Sequence, residues 1–192
     1  MIFSDEVAFD ISQARCHFVR RGRGSRILMS HTSQHRSFLK RIMFWGSFCS
    51  KGPGRLAVIN GTMNGSKYIN TLTNYFLPQM EEWFEEDHAL FQHDNAPCHK
   101  SRMVSQFLRE KNIQTIEWPP YSPDLSPIEN LWAILKMKIH KEPLISANQL
   151  INLVEDIWYR DESIKLACIS LIDNMPRRIK KCIVAKGGPL KY

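Results

Sequence analysis

The chain has 192 residues, 43% of them hydrophobic, and a formal net charge of +7. That length suits one domain with a real core, and the composition excludes a low-complexity or disordered chain. The basic balance favours a polyanionic partner, nucleic acid being the commonest.

The start, MIFSDEVAF, carries acids where a secretion signal needs basic and then apolar residues. No apolar run approaches the roughly 20 residues of a membrane span. Five scattered cysteines form no C-x-x-C pair, so neither a disulfide framework nor a zinc knuckle is expected. The sequence reads as soluble and intracellular, without a membrane partner.

Residues 1–5 (MIFSD) read as a short strand entering a charged turn. Residues 11–40 are polar and basic, with Arg20, Arg21, Arg23 and Arg26 around two glycines, and read as a strand and a long exposed loop. The aromatic run IMFWGSFC at 42–49 reads as a buried strand, KGPG at 51–54 as a turn and RLAVI at 55–59 as the next strand. Residues 66–86 have helical spacing, with a break expected near Pro78.

A strand at 89–94 (ALFQHD), a helix at 99–111 and a strand at 113–118 (IQTIEW) predict a parallel pair joined by a crossover. PPYSPDLSP at 119–127 is a proline-stiffened loop. Helices are predicted at 127–141, with Ile128, Leu131, Trp132, Leu135 and Ile139 as the apolar stripe, at 147–160, and at 162–184 with an interruption at Pro176. Strands first and helices last give a mixed α/β domain.

Three carboxylates are expected at element ends, where side chains reach a cleft: Asp5, Asp94 and Glu129. Gathered together they repel, and a divalent cation relieves that repulsion. Oxygen ligands without sulfur favour magnesium or manganese, and two such ions suit phosphodiester chemistry. Each acid also has a plainer reading. Ser126-Pro127-Ile128-Glu129 fits a capping box. Asp94-Asn95 fits an Asx turn. Asp5 fits a solvated turn, where Glu6 and Asp10 are equally well placed by pattern.

The blocks FSDE at 3–6, FQHDNAPCHKS at 91–101 and WPPYSPDLSPIENLW at 118–132 resemble the three signature blocks of the Tc-type/mariner transposase superfamily. Between Asp94 and Glu129 lie 34 residues, and that spacing with Glu third resembles the Asp–Asp–Glu signature of the Tc branch. IMFWGSF at 42–48 and the ending MPRRIKKCIVAKGGPLKY are similar to that branch as well, so the resemblance covers almost the whole chain.

The resemblance implies a ribonuclease-H-like fold, a five-stranded mixed sheet flanked by helices. It implies that Asp5, Asp94 and Glu129 are the catalytic, metal-binding acids, holding two Mg²⁺ or Mn²⁺ ions. The implied chemistry is hydrolysis at transposon ends followed by strand transfer to target DNA, in the nucleus, with a homodimer in the DNA complex. Asn95 and His99 fall on the D-N-x-x-x-H block and are read as groups behind the metal ligands or touching the DNA backbone. Cys98, His99 and His93 lack a fourth zinc ligand at suitable spacing.

The basic clusters Arg20, Arg21, Arg23, Arg26 and Arg177, Arg178, Lys180, Lys181 are candidate phosphate contacts. Trp45, Trp118 and Trp132 are expected in the core rather than on DNA bases.

Two departures from the family qualify this reading. The expected single domain spans 1–192, without the N-terminal helix-turn-helix modules that read transposon ends. Only four residues precede Asp5, which predicts a shortened inner strand. Ser37, Phe38, Leu39 and Lys40 stand where relatives have a glycine-rich stretch. The alternative function is therefore a catalytically inactive, nucleic-acid-binding remnant. An integrase is disfavoured by the missing His/Cys zinc module.

Overall fold

The structure is a computed structural model, which describes residues 1–11, 41–84, 89–142 and 146–188. Arg20, Arg21, Arg23, Arg26 and the segment 37–40 lie outside the described residues. Five strands form a mixed sheet: β1 (Ile2–Asp10), β2 (Arg41–Cys49), β3 (Gly52–Pro53), β4 (Ala57–Ile59) and β5 (Phe91–Gln92). β1 lies between β2, which is antiparallel to it, and β5, which is parallel. Both β3 and β4 pair with β2 on its far side.

β1 is the first correction to the sequence reading. It does not turn after Asp5 but runs on to Asp10, in register with β2 from Phe3↔Phe48 to Asp10↔Arg41. The expected shortened inner strand is therefore a nine-residue strand. Its period-2 pattern explains why. Phe3, Val7 and Phe9 enter the core on one face, and Ile2 enters the core on the other.

Helices cover both faces. One core packs Phe3, Phe9, Phe44 and Phe48 against α4 (Pro127–Ile139), α5 (Ala147–Arg160) and α6 (Glu162–Asp173). The predicted stripe of α4 is buried at every position: Ile128, Leu131, Trp132, Leu135 and Ile139. The other core packs Ile2, Trp45 and Phe91 against α1 (Gly65–Thr71), α2 (Leu77–Phe84) and α3 (Arg102–Glu110). Trp45 and Trp132 are buried, and Trp118 packs edge-on against Phe3, so the core reading of the tryptophans holds.

The expected break near Pro78 takes the form of a π-helical turn at Leu72–Phe76, between α1 and α2. Proline has no N–H to donate and its ring crowds the carbonyl four residues back, so a widened turn lets the helix continue. The predicted strand at 113–118 is reduced to one parallel bridge, Thr115 to Phe91. Asn112 at φ 53 turns the chain just before it, and Pro119-Pro120 ends it just after. The helix predicted from residue 99 starts at Arg102, which leaves His99 in the preceding turn. Helix α7 (Met175–Val184) begins with Pro176 in its first turn, which accounts for the interruption expected there.

Candidate active site

Along β1, β5 reaches no further than Ile2 and Phe3, and it ends at Gln92. Beyond that point β1 continues without a described neighbour on that side, and a cleft opens there. Ser4 ties the two strands at its floor, its hydroxyl donating to the Gln92 carbonyl at 3.1 Å. Asp5 is thus in the middle of its own strand rather than at its end, yet it stands just past the end of the neighbouring one. That is the position at which α/β sheets expose functional side chains.

Glu129 reaches the same cleft from the first turn of α4. Its distance from the sheet is set by packing one helical turn later. Trp132 lies directly over β2, where Gly46 pairs with Asp5. A methyl group at position 46 would come within 2.6 Å of the Trp132 ring. Only glycine therefore lets α4 settle so close to the strand that carries Asp5. The second ring of this stack is Trp158, 5.1 Å away, whose indole N–H donates to the Gly54 carbonyl at 2.7 Å.

Asp94 follows β5 and is half exposed. The Asx turn read from sequence is present, with the Ala96 N–H donating to Asp94 Oδ1 at 2.9 Å. The turn and a cleft-facing carboxylate are thus compatible readings of one residue. The capping box at α4 is not observed. Ser126 is the N-cap but makes no side-chain cap bond, which leaves Glu129 free of that duty.

Asp5, Asp94 and Glu129 all line one cleft of about 430 Å³, together with Asn95, Trp118, Tyr121 and Ser126. Burial raises the Asp5 carboxyl to about 8, and the neighbouring charges of Glu6, Glu129 and Asp94 push in the same direction. Among the described residues, however, no three His, Cys, Asp or Glu side chains are gathered into a ready ligand group. The acids share a cleft rather than a finished cage. Their donors are all hard oxygens, and the raised Asp5 marks a place where positive charge is missing. On both counts the residues fit a divalent cation of the magnesium class.

Asn95 donates from its side-chain amide to the Trp118 carbonyl at 2.7 Å. It pins the start of the proline loop to the segment carrying Asp94, which fits a supporting role. That loop holds Tyr121 fully exposed at the rim, at φ 53.

His99 is 3% exposed, so the reading of it as a DNA-backbone contact is corrected, and its ring lies behind Asp94 instead, with Nδ1 2.6 Å from Oδ1. Burial disfavours its charged form, but hydrogen bonds to Asp94 and Glu6 outweigh that and raise it to about 10. The link to Glu6 was not visible in the sequence. His93, lowered to about 4 chiefly by burial, is hydrogen-bonded through Nδ1 to the Tyr68 hydroxyl at 2.9 Å.

Arg178 is also corrected. It is buried, with Nη2 donating to Asn130 Oδ1 at 2.7 Å and Nη1 facing the carbonyls of Asp124 and Leu125 at 3.5 Å. It braces the start of α4 and is not available to DNA. Arg177, Lys180 and Lys181 are exposed on α7. A helix start two residues earlier or later would have turned a different basic residue inward, so charge pattern alone could not find Arg178.

Comparison with known proteins agrees with this geometry. The family described as DDE superfamily endonuclease matches residues 1–151. The Tcb1 transposase of Caenorhabditis briggsae is 34% identical over the whole chain, which spans 70% of that protein. The Tc1 transposase of Caenorhabditis elegans is 33% identical with the same coverage. Among solved structures, the Mos1 mariner paired-end complex with Mn superposes with a TM-score of 0.84 at 20% identity, covering 99% of this chain and 56% of the Mos1 chain. The Mos1 catalytic domain alone superposes with a TM-score of 0.76 over 99% of this chain and 83% of that one.

The chain belongs to the DDE superfamily endonucleases and is a transposase catalytic domain homologous to those of the Tc1 and mariner elements. Its mixed five-stranded sheet with flanking helices is the ribonuclease-H-like fold expected from sequence. No described helix is long and apolar enough to cross a membrane.

Proposed function

We propose that this domain cleaves DNA phosphodiester bonds and transfers the freed strand ends in cut-and-paste transposition, with Asp5, Asp94 and Glu129 as the metal-binding acids. The observation that carries this reading is the convergence of the three acids, from three separate elements, on one cleft with a strongly raised Asp5. Structures of related Mos1 with Mg and with Mn support divalent metal use. The structure of related Mos1 in a paired-end complex with its left transposon end supports DNA as the partner.

Within the proposed mechanism, Asp5 supplies a half-buried carboxylate in the cleft, whose proton must leave before an ion can be held. Asp94 and Glu129 supply further oxygens from two other elements that line the cleft. Two Mg²⁺ or Mn²⁺ ions, when bound, would supply activation of the attacking oxygen and stabilisation of the leaving one. Asn95 and the proline loop keep the wall beside Asp94 in place. Arg177, Lys180 and Lys181 add the sequence-independent attraction to phosphates that a +7 chain can offer. A homodimer on DNA and a nuclear site of action complete the proposal.

The test is plasmid nicking by the purified chain in Mg²⁺ or Mn²⁺. Glu129→Gln should reduce nicking by orders of magnitude with little change in stability, because Glu129 caps nothing. Asp94→Asn serves as the control for contaminating nuclease. Nicking by Glu129→Gln at the wild-type rate would reject Glu129 as the third acid. A wild-type chain that binds DNA but never nicks it would support the remnant reading instead.

A further inference from the structure

Glu6 has no part in the mechanism above, although it adjoins Asp5. On β1 it points away from Asp5, to the face covered by α1 and α3, where its register partner is Trp45. There its Oε1 lies 3.2 Å from Nε2 of His99, and the other ring nitrogen, Nδ1, lies 2.6 Å from Asp94 Oδ1. Carboxylates can only accept, so both ring nitrogens donate.

The imidazole is buried and packs against two rings, with Tyr68 at 4.0 Å and His93 stacked at 5.3 Å. It has little room to turn. Asp94 Oδ1 therefore receives two donors from fixed groups, His99 and the Ala96 amide. The Asp94 side chain is itself 52% exposed and, without those bonds, would populate several rotamers.

We infer that Glu6 is a positioning residue, which acts through His99 to lock the Asp94 carboxylate with Oδ1 occupied and Oδ2 left as the ligand atom. The inference rests on the proposed metal site. It assigns the two adjacent acids of β1 to different tasks: Asp5 meets the ion, and Glu6 anchors the ring that orients another ligand. Groups that orient metal ligands in this way typically change metal affinity or activity by 10–100-fold when removed.

The experiment is a Mn²⁺ titration of the purified chain followed by electron paramagnetic resonance, with thermal unfolding of each variant. His99→Phe keeps a ring against Tyr68 but removes both donors, and should weaken Mn²⁺ binding by about 10-fold or more. Glu6→Ala should also weaken it. Glu6→Gln, which keeps an acceptor, should restore most of the loss. In the His99→Phe background, Glu6→Ala should have no further effect, because the two residues act in series.

Equal effects of Glu6→Ala in both backgrounds would overturn the inference, since Glu6 would then act on the ion independently of His99. So would wild-type Mn²⁺ affinity in His99→Phe beside lost affinity in Asp94→Asn, and in that case the metal site itself would stand. Wild-type affinity in Asp94→Asn would remove both.

Discussion

On the face of the sheet covered by α4, α5 and α6, Asp5 stands opposite a glycine and looks into an open cleft. On the face covered by α1 and α3, Glu6 stands opposite Trp45 and ends on a buried imidazole. The two acids are consecutive in sequence, and the strand's alternation alone sends them into different surroundings. One is left without a described counter-charge and has its proton affinity raised. The other is matched to a donor. A charged residue inside a strand is thus no sign of a turn. Its role depends on which face it takes and on whether the neighbouring strand has already ended.

The largest effect expected from this contrast is at Asp5. Asp5→Asn should abolish metal-dependent nicking, a loss of several orders of magnitude in a plasmid assay. The same change should stabilise the metal-free protein at neutral pH. Asp5 has its folded-state pKa raised to about 8, well above its unfolded value, so its ionisation opposes folding as pH rises from about 4 towards 8. The wild-type melting temperature should therefore fall relative to Asp5→Asn across that window. Equal pH profiles for the two proteins would show that Asp5 is not under this strain. Mn²⁺ binding at pH 7 should also release about one proton, readable by calorimetry in buffers of different ionisation enthalpy.

The next effect tests how α4 is seated. Gly46→Val should cost about 1–3 kcal/mol in urea unfolding, since the added atoms meet the Trp132 ring. Nicking should fall by more than the remaining folded fraction explains, because Glu129 moves with the helix. Loss of activity in strict proportion to unfolding would argue against that coupling.

Arg177 and Arg178 extend the contrast to a helix. Arg178→Ala leaves Asn130 and the loop carbonyls without their donor and should destabilise by about 1–3 kcal/mol. It should leave the salt dependence of DNA binding unchanged. Arg177→Ala should keep stability within about 0.5 kcal/mol and reduce the salt slope by up to about 1. A reversal of the two results would restore Arg178 as a phosphate contact.

The smallest effect lies at the junction of α5 and α6. Asp161 caps α6 and pairs with Lys138 at 2.5 Å, and chiefly that bond holds its carboxyl down at about 2. Its stabilising charge is fully present above the ordinary carboxylate range and is lost as pH falls from about 4 towards 2. Both side chains are nearly one-third exposed, so solvent screening limits the contribution to about 0.5 kcal/mol. Asp161→Asn, which can still cap, should differ from wild type above pH 4 and converge with it near pH 2.

Much of this arrangement was legible in the sequence, but unevenly. The stripe from Ile128 to Ile139 fixed the buried face of α4 and thereby placed Glu129 on the accessible side of its first turn. Asp94 was found because a strand, an Asp-Asn turn and a helix follow in order. Asp5 was singled out from Glu6 and Asp10 only by the family resemblance, and the residue pattern misjudged its position in the strand. The pair Asp5-Glu6 looked like a turn, whereas Phe3, Val7 and Phe9 continue one buried face across it. His99–Glu6 and Arg178–Asn130 join residues far apart in the chain. Local periodicity carries no information about such pairs, and only tertiary packing defines them.

The seating of Trp132 on Gly46 has a consequence for how such a domain decays. The spacing between Asp5 and Glu129 depends on a missing methyl group at the strand position paired with Asp5, under the Trp132 ring. Neutral drift that fills that space by a single carbon leaves every acidic signature letter intact. Such a copy would keep every motif by which the family is recognised while the helix carrying Glu129 is displaced from the strand carrying Asp5.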